Sequence, residues 1–350
     1  MFEIDFLPVD SASSEGSTKS GDAITGRFVA ADGQQKVFVI DAGLHATGEA
    51  VVTHITKYYE TTHVDLAIST HADGDHINGM PVVIDELTVD ELLIHQPREH
   101  TGSQASDFSN IEAVDTLINT AHDRGTLVSN PFTGEERLDG HLLLLGPDKD
   151  FYELLLAEHL REMRTGSKVM SFSQVRRGAR NLLDTALSML PSEETLTDLG
   201  VTNPRNEMSV VTLLTVDGKR TLFTGDAGQR ALARVITDYE SRVGAFTYNP
   251  LSLLQAPHHG SHRNIGPTIL DRILGTREAP YGQVNGIVSA AECSPKHPSP
   301  KVVNALQRRG CTVTATTGRT VCYPEDAPYR PGWGPAQPLP PLDESGEIDD

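Results

Sequence analysis

The chain has 350 residues, enough for one large domain or two ordinary ones. Its 29 Lys and Arg stand against 48 Asp and Glu, a net charge of −19, which excludes a surface that clings as a whole to nucleic acid or anionic membrane. Three cysteines exclude a disulfide scaffold, and no apolar run approaches the length of a membrane span.

The opening MFEIDFLPVD carries Glu3 and Asp5 inside its apolar run and lacks a basic leader, so it reads as a strand rather than an export signal. The expectation is an acidic cytoplasmic protein with no membrane segment. A Ser/Gly-rich loop over 11–22 precedes two strand-like runs, 23–30 and 36–40, the second ending in Asp41-Ala42-Gly43. Residues 49–60 read as helix, 64–69 as a buried strand and 92–95 as another strand. A helix over 111–125 and a strand over 138–146 follow, then a mostly helical stretch, 151–190. Two β-rich runs, 210–216 and 220–224, flank Asp217-Gly218, a hairpin signal. A helix over 229–243, strands over 251–256 and 286–289 and a helix over 299–309 come next. A last strand or hairpin is expected over 311–323. Strands alternating with helices imply a layered α/β architecture.

From residue 324 the character changes. Seven of the 21 prolines and seven acidic residues lie there against Arg330 alone, so residues 324–350 are expected to be a loose acidic tail, with a protein partner as its possible use. Trp333 is the one group in it suited to docking on the body. Residues 150–205 read as a helical insertion between two β-rich halves, packing in the core or covering a site.

The chemistry concentrates at four places, each just past a predicted strand. His71-Ala-Asp73-Gly-Asp75-His76 puts four metal-type ligands into six residues after an apolar strand. Asp226, in Thr224-Gly-Asp-Ala-Gly228, lies at the carboxyl edge of a sheet, where a carboxylate can bridge two ions. Pro257-His258-His259-Gly260-Ser261 follows a strand, where neighbouring side chains point to opposite sides, so one histidine is expected to face a site and the other to pack. Lys296-His297-Pro298 precedes a helix that Ser299 or His297 can cap. Cys293, Cys311 and Cys322 lack metal spacing and read as buried thiols. Arg176, Arg177, Arg180, Arg308 and Arg309 are the basic groups that could line a groove if they flank the site.

Taken together, HADGDH resembles the HxHxDH motif of the metallo-β-lactamase fold, in an HxDxDH variant. With TGDA, PHHGS, Asn206-Glu-Met-Ser209 and the opening FLPVD…GDAI…FVIDAG, it resembles the soluble hydrolase domain of ComEC-like DNA-uptake proteins and their stand-alone relatives, over residues 1–323. The resemblance implies a four-layer αββα sandwich and two divalent metal ions, Zn or Mn. It implies His71 and Asp73 at one ion, Asp75 and His76 at the other, and Asp226 between them. His258 or His259, with His297, would complete the site as ligand and proton donor. Asp41 would orient the metal loop. Asp73 stands where the fold usually has histidine, and the histidine usual before the bridging aspartate has no clear counterpart; His141 and His159 are available.

The implied activity is metal-assisted hydrolysis of a phosphodiester: DNA, RNA or a nucleotide. Asp75 would take a proton from water, a histidine of the HHGS loop would protonate the leaving group, and Ser261 with backbone N–H groups near Gly260 would hold substrate oxygens. Hydrolysis of a lactone, thioester, phosphocholine ester or amide is the alternative on the same site. A non-catalytic, metal-stabilised interaction protein is the other.

Overall fold

The computed structural model describes residues 1–9, 18–166 and 194–345. Alternating apolar residues sort its strands into two seven-stranded sheets. The first contains β1 (Phe2–Phe6), β2 (Ala23–Val29), β3 (Gln35–Ala42), β4 (His63–Ile68), β5 (Thr88–Leu93) and β6 (Leu127–Ser129), with β16 (Val321–Glu325) on the far side of β1. The second contains β7 (Glu136–Arg137), β8 (Leu142–Gly146), β9 (Val211–Val216), β10 (Lys219–Phe223), β11 (Leu253–Gln255), β14 (Val284–Val288) and β15 (Cys311–Ala315), in that order across the sheet. A small ribbon, β12 (Gly275–Thr276) with β13 (Ala279–Pro280), stands apart.

The inward faces meet in one apolar core. Ile4, Phe6, Phe38 and Ile68 of the first sheet pack with Leu144, Leu214 and Phe223 of the second. The outward faces, with Val39 and Leu92 on one side and Leu213 and Val313 on the other, belong to a second core completed by helices. Helices α1 (His45–His54), α3 (Met80–Glu86) and α5 (Ile111–Arg124) cover the first sheet, and α8 (Gln229–Arg242), α9 (Pro267–Leu274) and α10 (Pro300–Arg308) the second. The result is the four-layer αββα sandwich expected from the motifs.

Local signals act where they were expected. Asp217 and Gly218 both have positive φ, 50° and 75°, and turn β9 into β10 with Val216 opposite Lys219. Helix α6 (Lys149–Thr165) begins where Asp148 accepts a hydrogen bond from the Phe151 N–H. Its Phe151, Tyr152, Leu155 and Leu156 are core residues, and Arg230–Glu158 and Arg234–Asp148 pairs tie it to α8. The rest of the helical stretch expected to 190, including Arg176, Arg177 and Arg180, lies outside the described residues.

Residues 311–325 do not form a hairpin. β15 runs parallel to β14, whereas β16 crosses to the other sheet and pairs antiparallel with β1. The following segment, for which composition predicts little packing, is laid along the sandwich by specific contacts. Arg330 reaches the buried Asp5 carboxylate with two hydrogen bonds of 2.8 Å and Glu3 at 2.7 Å. Its guanidinium lies between the Tyr58 and Trp333 rings. Further along, Leu339 donates to the Val313 carbonyl, Asn304 exchanges hydrogen bonds with Leu342, and Glu344 pairs with Arg308. Among the described residues no helix is long and apolar enough to cross a membrane.

Candidate metal centre

The parallel strands β4, β10, β11 and β14 deliver the four motifs to one end of the sandwich, the carboxyl edge where α/β sites form. Asp226 is the centre. Its Oδ2 lies 3.6 Å from His71 Nε2 and 3.4 Å from His258 Nε2. Its Oδ1 lies 3.5 Å from His76 Nε2 and 3.8 Å from His259 Nε2. Asp73 Oδ2 stands 3.9 Å from His71 Nε2 on the first side, and Asp75 Oδ2 stands 3.9 Å from His259 Nε2 on the second. One carboxylate therefore separates two imidazole pairs, each with a further aspartate.

Both histidines of the HHGS loop face Asp226, which corrects the expectation that only one would. The alternation rule assumes extended backbone, but His258 and His259 both have positive φ, 48° and 55°. This left-handed turn swings both rings to the same side. His258 thereby stands on the side that lacks a histidine before Asp226 in sequence. His141 packs on Phe28 and binds the Thr215 carbonyl, and His159 packs on Phe108, so neither enters the cluster. The His297 ring lies beside those of His258 and His259, with centroids 5.7 and 5.9 Å away.

Hydrogen bonds on the far ring nitrogens set the tautomers. Asp41 Oδ2 lies 2.8 Å from His76 Nδ1, and it accepts from Thr70 Oγ1 at 2.6 Å. With its proton committed to Asp41, Thr70 Oγ1 accepts from His71 Nδ1 at 3.0 Å. His258 Nδ1 lies 3.0 Å from Asn264 Oδ1 and 3.1 Å from Asn206 Nδ2, and Asn264 Nδ2 donates to the Asp226 carbonyl at 2.7 Å. Ser209, expected only as part of a motif, holds the Asp226 N–H through its hydroxyl at 3.1 Å. His71 Nε2 is thereby left bare toward Asp226, whereas His76, beside both Asp41 and Asp226, is held toward its protonated form without metal.

Asp22 was not singled out from the sequence. Its only local signal is the Gly21-Asp22 step into β2. It is buried, its oxygens have no hydrogen-bond partner of normal geometry, and Oδ2 lies 3.7 Å from His76 Nδ1. A Cβ at Gly21 would stand 2.3 Å from the Asp75 carbonyl, so glycine there lets the loop press against the metal-type motif.

The charge state follows from burial and neighbours. Burial pushes the Asp22 carboxyl up to about 7 and the Asp226 carboxyl up to about 6. Burial, with the neighbouring histidines, holds His71 and His259 well below the usual imidazole range. Burial also opposes protonation of His76, but Asp226 and Asp41 outweigh it and hold that ring well above its usual value.

The donor set fits divalent cations. Nε2 of His71, His76 and His259, and Oδ1 of Asp226, are buried without a hydrogen-bond partner, a costly arrangement unless a cation takes them. Two ligands about 2.1 Å from one tetrahedral ion stand about 3.4 Å apart, close to the spacings on both sides of Asp226. Imidazole with carboxylate suits Zn, Mn or Fe.

Other expected groups are elsewhere. The Gly260 and Ser261 N–H groups donate to the Pro257 and His258 carbonyls, and Ser261 is fully buried, so this loop has no free oxyanion donors there. Arg308 pairs with Glu344, and Arg309 is buried against Glu194 and Asp271. Cys293 is exposed rather than buried.

No protein-family model matches the chain, and no curated protein matches it. Among solved structures it is similar to a candidate metallo-beta-lactamase from Thermotoga maritima, at 11% identity over 72% of this chain and 94% of that one, with a TM-score of 0.38. It is similar to a metal-dependent hydrolase of the beta-lactamase superfamily, at 11% identity over 94% of this chain and 100% of that one, with a TM-score of 0.46. A long-form RNase Z from yeast is similar at 13% identity over 82% of this chain and 36% of that one, with a TM-score of 0.37.

Proposed function

We propose that the protein is a metal-dependent hydrolase of phosphodiesters. The observation that carries the metal part is the placement of Asp226, with one oxygen toward His71 and His258 and the other toward His76 and His259. His71, Asp73 and His258 would hold one ion, Asp75, His76 and His259 the other, and Asp226 both. When bound, two such ions make water acidic enough to react near neutral pH and offset charge developing on a phosphoryl oxygen. Zinc and manganese are the ions of choice for this set.

The chain's own residues supply the rest. Asp75 is the most open carboxylate of the cluster, its side chain 35% exposed, and is placed to take a proton from an attacking water. His297, at the side of His258 and His259 and only half-buried, is placed to deliver a proton to the leaving group. Asp41 and Thr70 keep His71 and His76 in one tautomer. The phosphodiester class is supported by the resemblance of HADGDH, TGDA and PHHGS to the ComEC-like hydrolase domain; DNA, RNA and nucleotides all belong to it.

The test is elemental analysis of wild type and Asp75→Ala, with cleavage of bis(p-nitrophenyl) phosphate and labelled DNA under added Mn, Zn or Mg. The expected result is metal-dependent cleavage by wild type that the variant loses. Two bound ions with turnover of carboxylic esters or thioesters alone would replace the phosphodiester reading. Absence of metal in every preparation of folded protein would remove the enzyme reading.

A further inference from the structure

Arg205 is a cation at an otherwise acidic centre. It sits in the short helix α7 (Pro204–Glu207), in the segment that also brings Asn206 to His258 and Ser209 to Asp226. Its Nη1 lies 2.8 Å from Asp73 Oδ1, and among the described residues Asp73 is its one ion-pair partner. Arg205 and His71 also border one small, mostly apolar cavity lined by Ile94, Phe108, Val114 and Tyr152. The Arg205 side chain is 22% exposed, so it reaches solvent as well as Asp73.

A guanidinium carries five N–H donors in a rigid fork that matches two oxygens of one phosphate or carboxylate. Asp73 Oδ1 approaches this fork at Nη1 alone, as an ion pair, so the fork has further N–H donors to offer an incoming anion. Resting on the hydrolase reading above, we propose that Arg205 is a specificity-determining residue that binds a non-bridging oxygen of an anionic phosphodiester. The site then selects phosphodiesters over neutral esters, because an anionic oxygen accepts from this fork much more strongly than a neutral carbonyl does. A neutral ester presents a weak acceptor and leaves the guanidinium to the carboxylate. The alternative is that Arg205 merely anchors Asp73. Loss of the side chain then loosens a metal ligand and harms every substrate alike.

The experiment compares wild type, Arg205→Ala and Arg205→Lys, each loaded with Mn and assayed for metal content. The substrates are bis(p-nitrophenyl) phosphate, an anion, and p-nitrophenyl acetate, which is neutral. The expected result is unchanged metal content, a loss on the order of 100-fold in kcat/KM for the phosphodiester in Arg205→Ala, and little change for the acetate ester. Lysine should restore part of the loss, since it keeps charge without the fork. Inorganic phosphate and acetate, titrated calorimetrically into the loaded proteins, give a readout without turnover. Phosphate affinity should fall about tenfold or more in Arg205→Ala. Equal losses on both substrates, or phosphate binding as in wild type, would overturn the proposal. Tighter binding of acetate than phosphate to wild type would overturn the phosphodiester class. Should wild type cleave neither ester, the hydrolase reading fails, and the phosphate titration alone decides the role of Arg205.

Discussion

Asp41 Oδ2 lies 2.8 Å from His76 Nδ1, and the same oxygen takes the Thr70 hydroxyl that holds His71. One buried carboxylate thus fixes an imidazole on each side of Asp226. Its other oxygen accepts the Thr70 N–H at 2.8 Å, and Asp41 itself has a φ of 55°, a strained value for a residue with a Cβ. The geometry of the cluster is therefore paid for in backbone strain one strand away.

Asp41→Ala is expected to weaken both metal positions, by roughly 10- to 100-fold each, the usual cost of removing an outer partner of a ligating histidine. Thr70→Val should weaken only the position of His71. Metal titration against a competing chelator distinguishes them. Equal weakening of both positions by Thr70→Val would contradict the relay through its hydroxyl.

His258 and His259 serve opposite oxygens of Asp226, so each alanine variant should cost one ion and leave the other. Asn264→Ala should imitate His258→Ala in weaker form, because it removes one of the two partners of His258 Nδ1, Asn206 being the other, and a partner of the Asp226 carbonyl. Elemental analysis of purified variants reads the stoichiometry. Loss of both ions in each single variant would mean that the two positions are not separable.

Without metal, the cluster should make stability depend on pH. Asp22 and Asp226 have folded values raised to about 7 and about 6, so the folded state holds protons that the unfolded state has released. Their contribution is present at low pH and is lost as pH rises through those values. His76, raised as well, acts in the same direction. His71 and His259, both lowered, act oppositely, but only below the ordinary imidazole value of about 6.5. Between about pH 6.5 and 8 only the losses remain, so the metal-free melting temperature should fall over that interval. Metal should flatten the slope, and its binding should release protons. Melts with and without chelator, with calorimetry in two buffers, check both.

Arg330 neutralises Asp5 and Glu3, all three being buried. Asp5 also receives His54 Nε2 at 3.0 Å and the Tyr59 hydroxyl at 2.7 Å, and Glu3 pairs with Arg27. Arg330→Ala should cost about 3–5 kcal/mol in urea unfolding, because it strands buried carboxylates. An effect under about 1 kcal/mol would show that the segment after β16 is not held this way.

One thiol should react quickly in the folded protein. Cys293 is exposed, whereas burial pushes the Cys311 thiol up to about 12 and Cys322 higher still. Thiol titration with and without denaturant counts them.

The layered fold and most of the centre were legible in the sequence because they depend on local pattern. HADGDH and TGDA follow short apolar and β-rich runs that read as strands, and sheet edges put such residues together. What was not legible depended on backbone angles or distant partners. Nothing in Pro-His-His-Gly announces that both histidines adopt left-handed φ. Asp22 is ordinary beside a Ser/Gly loop until β2 places it against His76. Residues 311–323 were expected as a last strand or a hairpin, because two short strands separated by Thr-Thr-Gly-Arg-Thr do not reveal that their partners lie in different sheets. Arg330 is one base among prolines until Asp5 appears beneath it.

The pairing of β1 with β16 also bears on how the molecule is made. Asp5 and Arg330 are 325 positions apart, and Glu3 lies slightly further from the same base. On the ribosome, residues 2–6 leave the tunnel long before 321–330 exist. Until then the first sheet has a raw edge at β1, and Asp5 and Glu3 lack the base they share, although Arg27 and His54 are already at hand. Contacts this distant in sequence are the kind that form late, so the β1 edge closes only once residues 321–330 are in place.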